Sequence, residues 1–260
     1  MEVKQILKEI NEGVALVTVN RPDSLNALNS RLLGELECAL QQIEQDESVQ
    51  VVIITGAGDK AFVAGADIKE MAAMTSYQGH QFALQGQRVM LFMEKMTKPV
   101  IAAVNGYALG GGLELALACD LIYASDNARF GFPEVTLGIM PGFGGTQNLA
   151  RLIGPNRAKE MVLSGRMIPA QKAVAWGIVN ELCPQAELLD KVTWLAREMA
   201  KNGRLGVGYA KNAIVNGLNM SKEDGFRYES SLFGVLFATE DQKEGMGAFI
   251  EKRKPQFNGR

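Results

Sequence analysis

The sequence predicts an α/β fold that gives way to helices alone. Two short apolar runs, residues 51–54 and 100–104, are as unbroken as strands buried on both faces, and the segments between them carry helical periodicity. After the polar, glycine-containing break Lys201-Asn202-Gly203-Arg204, only helical patterns follow. With 260 residues and 47% hydrophobic content the chain can bury one substantial core plus a small appendage. The expected division is a core over residues 1–203 and a helical C-terminal region over 204–260.

Taken in order, residues 14–19 alternate and branch as a strand does, and Arg21-Pro22-Asp23 closes them. Asn29 or Ser30 can cap a helix that carries Leu33, Leu36, Leu40 and Ile43 on one face. Residues 51–54 form a buried strand ending at Gly56, and the pattern after Gly65-Ala66-Asp67 turns helical through Met71 and Met74. A second helix covers residues 81–96 until Lys98-Pro99 breaks it. Residues 100–104 are a strand leading into a triglycine, residues 113–118 a helix and 121–124 a further strand. The chain then passes Pro141-Gly142 and becomes mostly helical, with final helices around 207–218, 222–237 and 241–252. Phe226, Phe233, Leu236, Phe237, Met246 and Phe249 recur there at helical spacing, either to cap the core or to meet another subunit.

Charge and composition exclude several classes. Lys+Arg 27 against Asp+Glu 29 gives a net charge of -2, so no global basic field recruits nucleic acid. Residues 1–10 mix charges with short apolar pairs, unlike a signal peptide or membrane span, and the chain reads as soluble, unsecreted and cytoplasmic. Cys38, Cys119 and Cys183 are far apart and make neither a disulfide framework nor a zinc knuckle. His80, the one histidine, excludes multi-histidine metal sites and has no paired nucleophile nearby in sequence. No GxSxG, GxxxxGK[ST] or HExxH occurs, and Gly142-Phe143-Gly144-Gly145-Thr146 lacks both the spacing and the preceding strand of a dinucleotide loop.

Two glutamates carry the chemistry. Glu114 in Gly110-Gly111-Gly112-Leu113-Glu114 and Glu134 in Phe132-Pro133-Glu134 each follow backbone that can bend sharply, so both can face one cleft and share a proton or a water. The triglycine opens a helix whose unpaired N–H groups suit an oxygen that becomes negative during reaction. It is equally readable as a tight strand-to-helix turn, and either glutamate alone as a solvated loop carboxylate.

Several ordered blocks resolve these alternatives. Asn20-Arg21-Pro22, Leu25-Asn26-Ala27-Leu28, Ala64-Gly65-Ala66-Asp67-Ile68, Lys98 to Gly106, Gly110 to Glu114, Pro133-Glu134, Leu137-Gly138, Pro141-Gly142, Gly144-Gly145-Thr146-Gln147 and Ala248 to Lys254 resemble the enoyl-CoA hydratase (crotonase) family over essentially the whole chain. The resemblance implies a spiral of ββα units with C-terminal helices that build a homotrimer or a dimer of trimers. It also implies an acyl-CoA thioester substrate, no separate cofactor and no metal. By similarity, the backbone N–H groups of Ala66 and Gly111 form an oxyanion hole, Glu114 activates the attacking water and Glu134 delivers a proton to the α-carbon. Coenzyme A contacts carry over to Ala64, Ala66, Asp67, Ile68 and Lys69, and, from a neighbouring subunit, to Phe249 and Lys252. The acyl pocket falls along residues 71–81, and short or medium chains are expected.

Three positions depart from the family pattern: Asp23 after Arg-Pro, Phe132 where Gln is frequent, and Asn148 where Arg is frequent. Asp23 weakens a phosphate contact, Phe132 is expected to reshape the wall beside Glu134, and Asn148 to alter a local salt bridge. Relatives on this scaffold also shift double bonds, so an isomerase is the enzymatic alternative, although retention of both carboxylates favours hydration. A noncatalytic RNA-binding or assembly relative is the alternative of another class, opposed by the near-neutral charge and the intact glutamates.

Overall fold

The structure, a computed structural model, describes residues 4–260. The part of the N-terminal reading that falls on residues 1–3 lies outside the described residues. Strands β1 (Ile6–Asn11) and β2 (Val14–Val19) form an antiparallel hairpin, followed by α1 (Ser30–Gln45), β3 (Val51–Gly56) and β4 (Ala61–Ala64). Helices α2 (Ile68–Met71) and α3 (Ser76–Lys95) come next, then β5 (Val100–Val104), β6 (Tyr107–Leu109) and α4 (Gly111–Leu117). The chain continues through β7 (Leu121–Ser125), β8 (Arg129–Gly131), α5 (Gly145–Ile153), α6 (Pro155–Ser164), β9 (Met167–Pro169), α7 (Ala170–Trp176), β10 (Glu181–Cys183) and α8 (Leu188–Ala200). Three helices close it: α9 (Arg204–Gly217), α10 (Lys222–Leu236) and α11 (Glu240–Ile250).

Successive strands serve two sheets in turn. A six-stranded sheet has the order β1-β2-β3-β5-β7-β10, parallel except for the hairpin, and a four-stranded sheet the order β4-β6-β8-β9. The pairs β3/β4, β5/β6 and β7/β8 each send one strand to each sheet before a helix follows, which is the repeating ββα spiral. β3 and β5 are buried on both faces, as their unbroken apolar runs require. Asn29 caps α1 by accepting from Leu32 N, and Leu33, Leu36, Leu40 and Ile43 face the main core.

Several boundaries differ from the sequence reading, each for a local reason. The helix after Asp67 lasts only from Ile68 to Met71, and Met74 lies in the turn that follows. The next helix starts at Ser76, five residues before the expected 81, because Thr75 and Gln78 form a capping box. β1, β4, β6, β8, β9 and β10 went unforeseen; apart from β1, they are only three or four residues long, too short to show a period.

The last three helices join the core through a buried cation. Lys211 Nζ on α9 donates to the Met93 and Lys98 carbonyls, 3.0 and 3.1 Å away, and lies 2.8 Å from the Asp120 carboxylate just beyond α4. Phe226, Phe233 and Phe237 on or beside α10, and Met246, Phe249 and Ile250 on α11, are exposed. Among the described residues no helix is long and apolar enough to cross a membrane, and no group of His, Cys, Asp and Glu could hold a metal ion.

Candidate active site

Two strands that part company create the centre of the site. Residues 25–28, a turn ending in an isolated parallel bridge between Leu28 and Ala66, lie against the end of β4, with Ala64 N donating to Leu25 O, Leu28 N to Gly65 O and Asp67 N to Leu28 O. In a parallel ladder of this register, the N–H of Ala66 points to the opposite side. There, β6 would be its partner, but pairing ends at Ala64 with Leu109, and the chain turns away at Gly110 to start α4. The N–H of Gly111, first in that helix, has no carbonyl one turn earlier to bond. Among the described residues the Ala66 and Gly111 N–H groups have no backbone partner, and both residues line one cavity of about 500 Å³.

Only glycine fits the turn between them. Gly110 has φ +49°, and a Cβ built there would stand 2.6 Å from Glu134 Oε1. At Gly112 a Cβ would stand 1.9 Å from the Val63 carbonyl oxygen, so the triglycine sets the approach of α4 to β4 as well as presenting a donor.

Glu114 and Glu134 line the same cavity and are held differently. Glu114, on the inner face of α4 with 2% of its surface exposed, accepts the N–H groups of Phe143 and Gly145 on one oxygen, each at 2.8 Å. These donors belong to the start of α5, whose positive end favours an anion. Glu134 sits in a 3-10 turn over residues 133–137; its Oε2 is buried and accepts no hydrogen bond among the described residues. Burial pushes both carboxyls from 4.5 up to about 7, and for Glu114 the neighbouring Glu134 charge adds to burial while the two N–H bonds oppose it. Of the two, Glu114 carries the bonds that stabilise a carboxylate. Both carboxyls are raised alike, so the pair titrates as a unit.

Met71, Met74, Phe82 and Phe143 are among the apolar residues that line the cavity. Phe82 and Phe143 meet edge to face at 5.2 Å, and Phe143 lies so close to Gly86 that a Cβ there would stand 2.2 Å from its ring.

The remaining candidates lie partly inside and partly outside this lining. Ala64, Ala66 and Ile68 line the cavity, whereas Lys69 does not, and Phe249 and Lys252 lie in and just beyond α11 and do not line it either. Asp67 turns its carboxylate away from the cavity: it caps α2 through Lys69 N and Glu70 N and pairs with Arg21 at 2.9 Å. His80 is exposed on α3, outside the lining. Phe132 is fully buried against Gly145, beneath the loop that grips Glu114, and so does not form a wall beside Glu134. Asn148 donates to Glu94 at 3.0 Å, a hydrogen bond where arginine would make an ion pair. The Phe143 and Gly145 donors were missed in the sequence; their signal was a glycine-rich turn opening a helix, which offers free N–H groups to an anion.

A model of the enoyl-CoA hydratase/isomerase family matches residues 9–260. The chain belongs to this family. The short-chain-enoyl-CoA hydratase of Clostridium acetobutylicum is 48% identical over 254 residues, covering 98% of this chain and 97% of that relative. The crotonyl-CoA hydratase of Syntrophomonas wolfei is 46% identical over 257 residues, with 99% of each chain covered. Among solved structures, an enoyl-CoA hydratase from Bacillus anthracis superimposes with a TM-score of 0.96 at 42% identity, covering 99% of this chain and 100% of that one. A family member's site is therefore the natural frame for two carboxylates facing two unpaired N–H groups.

Proposed function

We propose that this chain is an enoyl-CoA hydratase that adds water reversibly to short-chain trans-2-enoyl-CoA thioesters, giving 3-hydroxyacyl-CoA. The observation that carries this reading is the asymmetric pair: Glu114 held by two N–H groups and Glu134 with an unpartnered buried oxygen, both beside two free main-chain donors. The thioester oxygen takes the Ala66 and Gly111 N–H groups. Glu114 removes a proton from water as its oxygen bonds to the β-carbon, and the double-bond electrons move onto the thioester oxygen as an enolate. Glu134 then gives its proton to the α-carbon, the enolate collapses to the thioester, and the proton on Glu114 returns to the pair through solvent. No separate cofactor is called for, because coenzyme A arrives as part of the substrate.

The packed phenylalanine pair in the cavity wall supports a short acyl chain. The exposed apolar residues of α10 and α11 support self-association as a homotrimer or a dimer of trimers. In such an assembly Phe249, which is 85% exposed, and Lys252 would meet the coenzyme A of a neighbouring subunit. Loss of crotonyl-CoA's conjugated absorbance on adding the purified protein tests the reaction, and Glu114→Gln and Glu134→Gln should each slow it by about 10²-fold or more. No turnover of short or longer enoyl thioesters by the wild type would refute it and make double-bond isomerisation the next reading.

A further inference from the structure

The donor at Ala66 is held by residues 25–28, which leave a 3-10 turn over 22–24 through the Leu25 N–H to Pro22, Asn26 N–H to Arg21 and Ala27 N–H to Ser24 carbonyl bonds. Residues 25–28 meet the end of β4 through three backbone hydrogen bonds and the one bridge pair Leu28 with Ala66, and Leu25 and Asn26 both adopt left-handed backbone, with φ of 50° and 61°. Non-glycine residues avoid that region unless their surroundings impose it. The surroundings here are Asn26 and Arg21. Buried Asn26 donates through Nδ2 to the Ala57 and Ala61 carbonyls, and accepts the Arg21 N–H at 2.9 Å. The Arg21 guanidinium then forks: Nη1 donates to the Ala27 carbonyl, beside the Leu28 bridge, and Nη2 to Asp67 Oδ2, one residue beyond the donor.

We propose that Arg21 is a positioning residue for oxyanion stabilisation, its fork locking residues 25–28 against Gly65, Ala66 and Asp67 so that the Ala66 N–H keeps its aim. This rests on the thioester reading of the site. Arg21 reaches its two acceptors with two separate nitrogens of one planar group, and lysine would keep the charge while bringing a single nitrogen to both. Asp67 completes the lock from the other side, since its second oxygen fastens the start of α2. Because misplacement of about 1 Å can cost 10²-fold in rate, a loosened Ala66 should show in the chemistry before it shows in binding.

The test compares wild type with Arg21→Lys and Asp67→Asn, the latter retaining a capping side chain. Acetoacetyl-CoA is the probe, because its enolate absorbs at long wavelength and needs the oxyanion hole, while free CoA, which has no thioester carbonyl, measures the rest of the site. The expected result for each variant is enolate binding and kcat weakened by about 10-fold or more, with the Kd for free CoA unchanged. Crotonyl-pantetheine, which lacks the nucleotide, should show the same kcat loss. Equal weakening of free CoA binding, or a loss confined to crotonyl-CoA, would assign Arg21 to coenzyme A recognition and overturn the proposal. So would wild-type behaviour of Arg21→Lys. A wild type that never forms the enolate would instead refute the thioester reading, and the proposal with it.

Discussion

Replacing Glu114 by glutamine should make the protein more stable at alkaline pH while disabling it. Glutamine keeps the oxygen that accepts the Phe143 and Gly145 N–H groups but has no charge to desolvate. The Glu114 carboxyl is raised from 4.5 to about 7 mainly by burial, so the folded chain holds this proton more tightly than the unfolded chain. The stabilisation from that proton is complete below pH 4.5 and is lost as pH rises through 7. At about 1.36 kcal/mol per pH unit, the wild type loses about 3 kcal/mol from this group by pH 8, and the variant loses none of it. Urea unfolding of both proteins at fixed protomer concentration, from pH 5 to 8, should therefore show their difference moving by about 2.5 kcal/mol in the variant's favour. Hydration measured on the same samples should fall by about 10²-fold or more. A stability difference that stays flat across that range would refute the assignment of a desolvated, proton-holding carboxyl at Glu114.

Three further outcomes follow from neighbouring contacts. Gly110→Ala would place a Cβ 2.6 Å from Glu134 Oε1 at a φ of +49°, so it should lower kcat by about 10²-fold and destabilise the fold by about 1–3 kcal/mol, measured by steady-state hydration and urea unfolding. Phe82→Ala opens the apolar end of the cavity at a stability cost of about 3–5 kcal/mol, and should shift the kcat/KM ratio for octenoyl-CoA over crotonyl-CoA upward by about 10-fold or more. Lys211→Met leaves Asp120 without its buried cation and should destabilise by about 3–5 kcal/mol in thermal and urea unfolding.

How much of this was legible in the chain depended on range. β3 and β5 stood out because strands buried on both faces read as unbroken apolar runs, and α1 because its cap and stripe are local. The glutamates and the triglycine were visible as residue types, and the resemblance to the crotonase family supplied their roles. What makes the site work lay out of reach, because it is contact between distant segments. Glu114 is gripped by donors 29 and 31 residues away, and Arg21 finds Asp67 across 46 residues. The cap that the Asp67 carboxylate makes on α2 is local, since a carboxylate before a helix start meets its free N–H groups. Phe132 proved a support beneath Gly145, which only packing could reveal.

The division of labour between the two carboxylates is tested most directly by proton exchange at the α-carbon of butyryl-CoA in D₂O, followed by NMR. This substrate has no double bond to hydrate, so exchange needs the oxyanion donors and the carboxyl that serves the α-carbon, but not the one that activates water. Glu114→Gln should retain exchange while losing hydration of crotonyl-CoA, and Glu134→Gln should lose both. Exchange that survives in Glu134→Gln and disappears in Glu114→Gln would contradict the account and reverse the two roles.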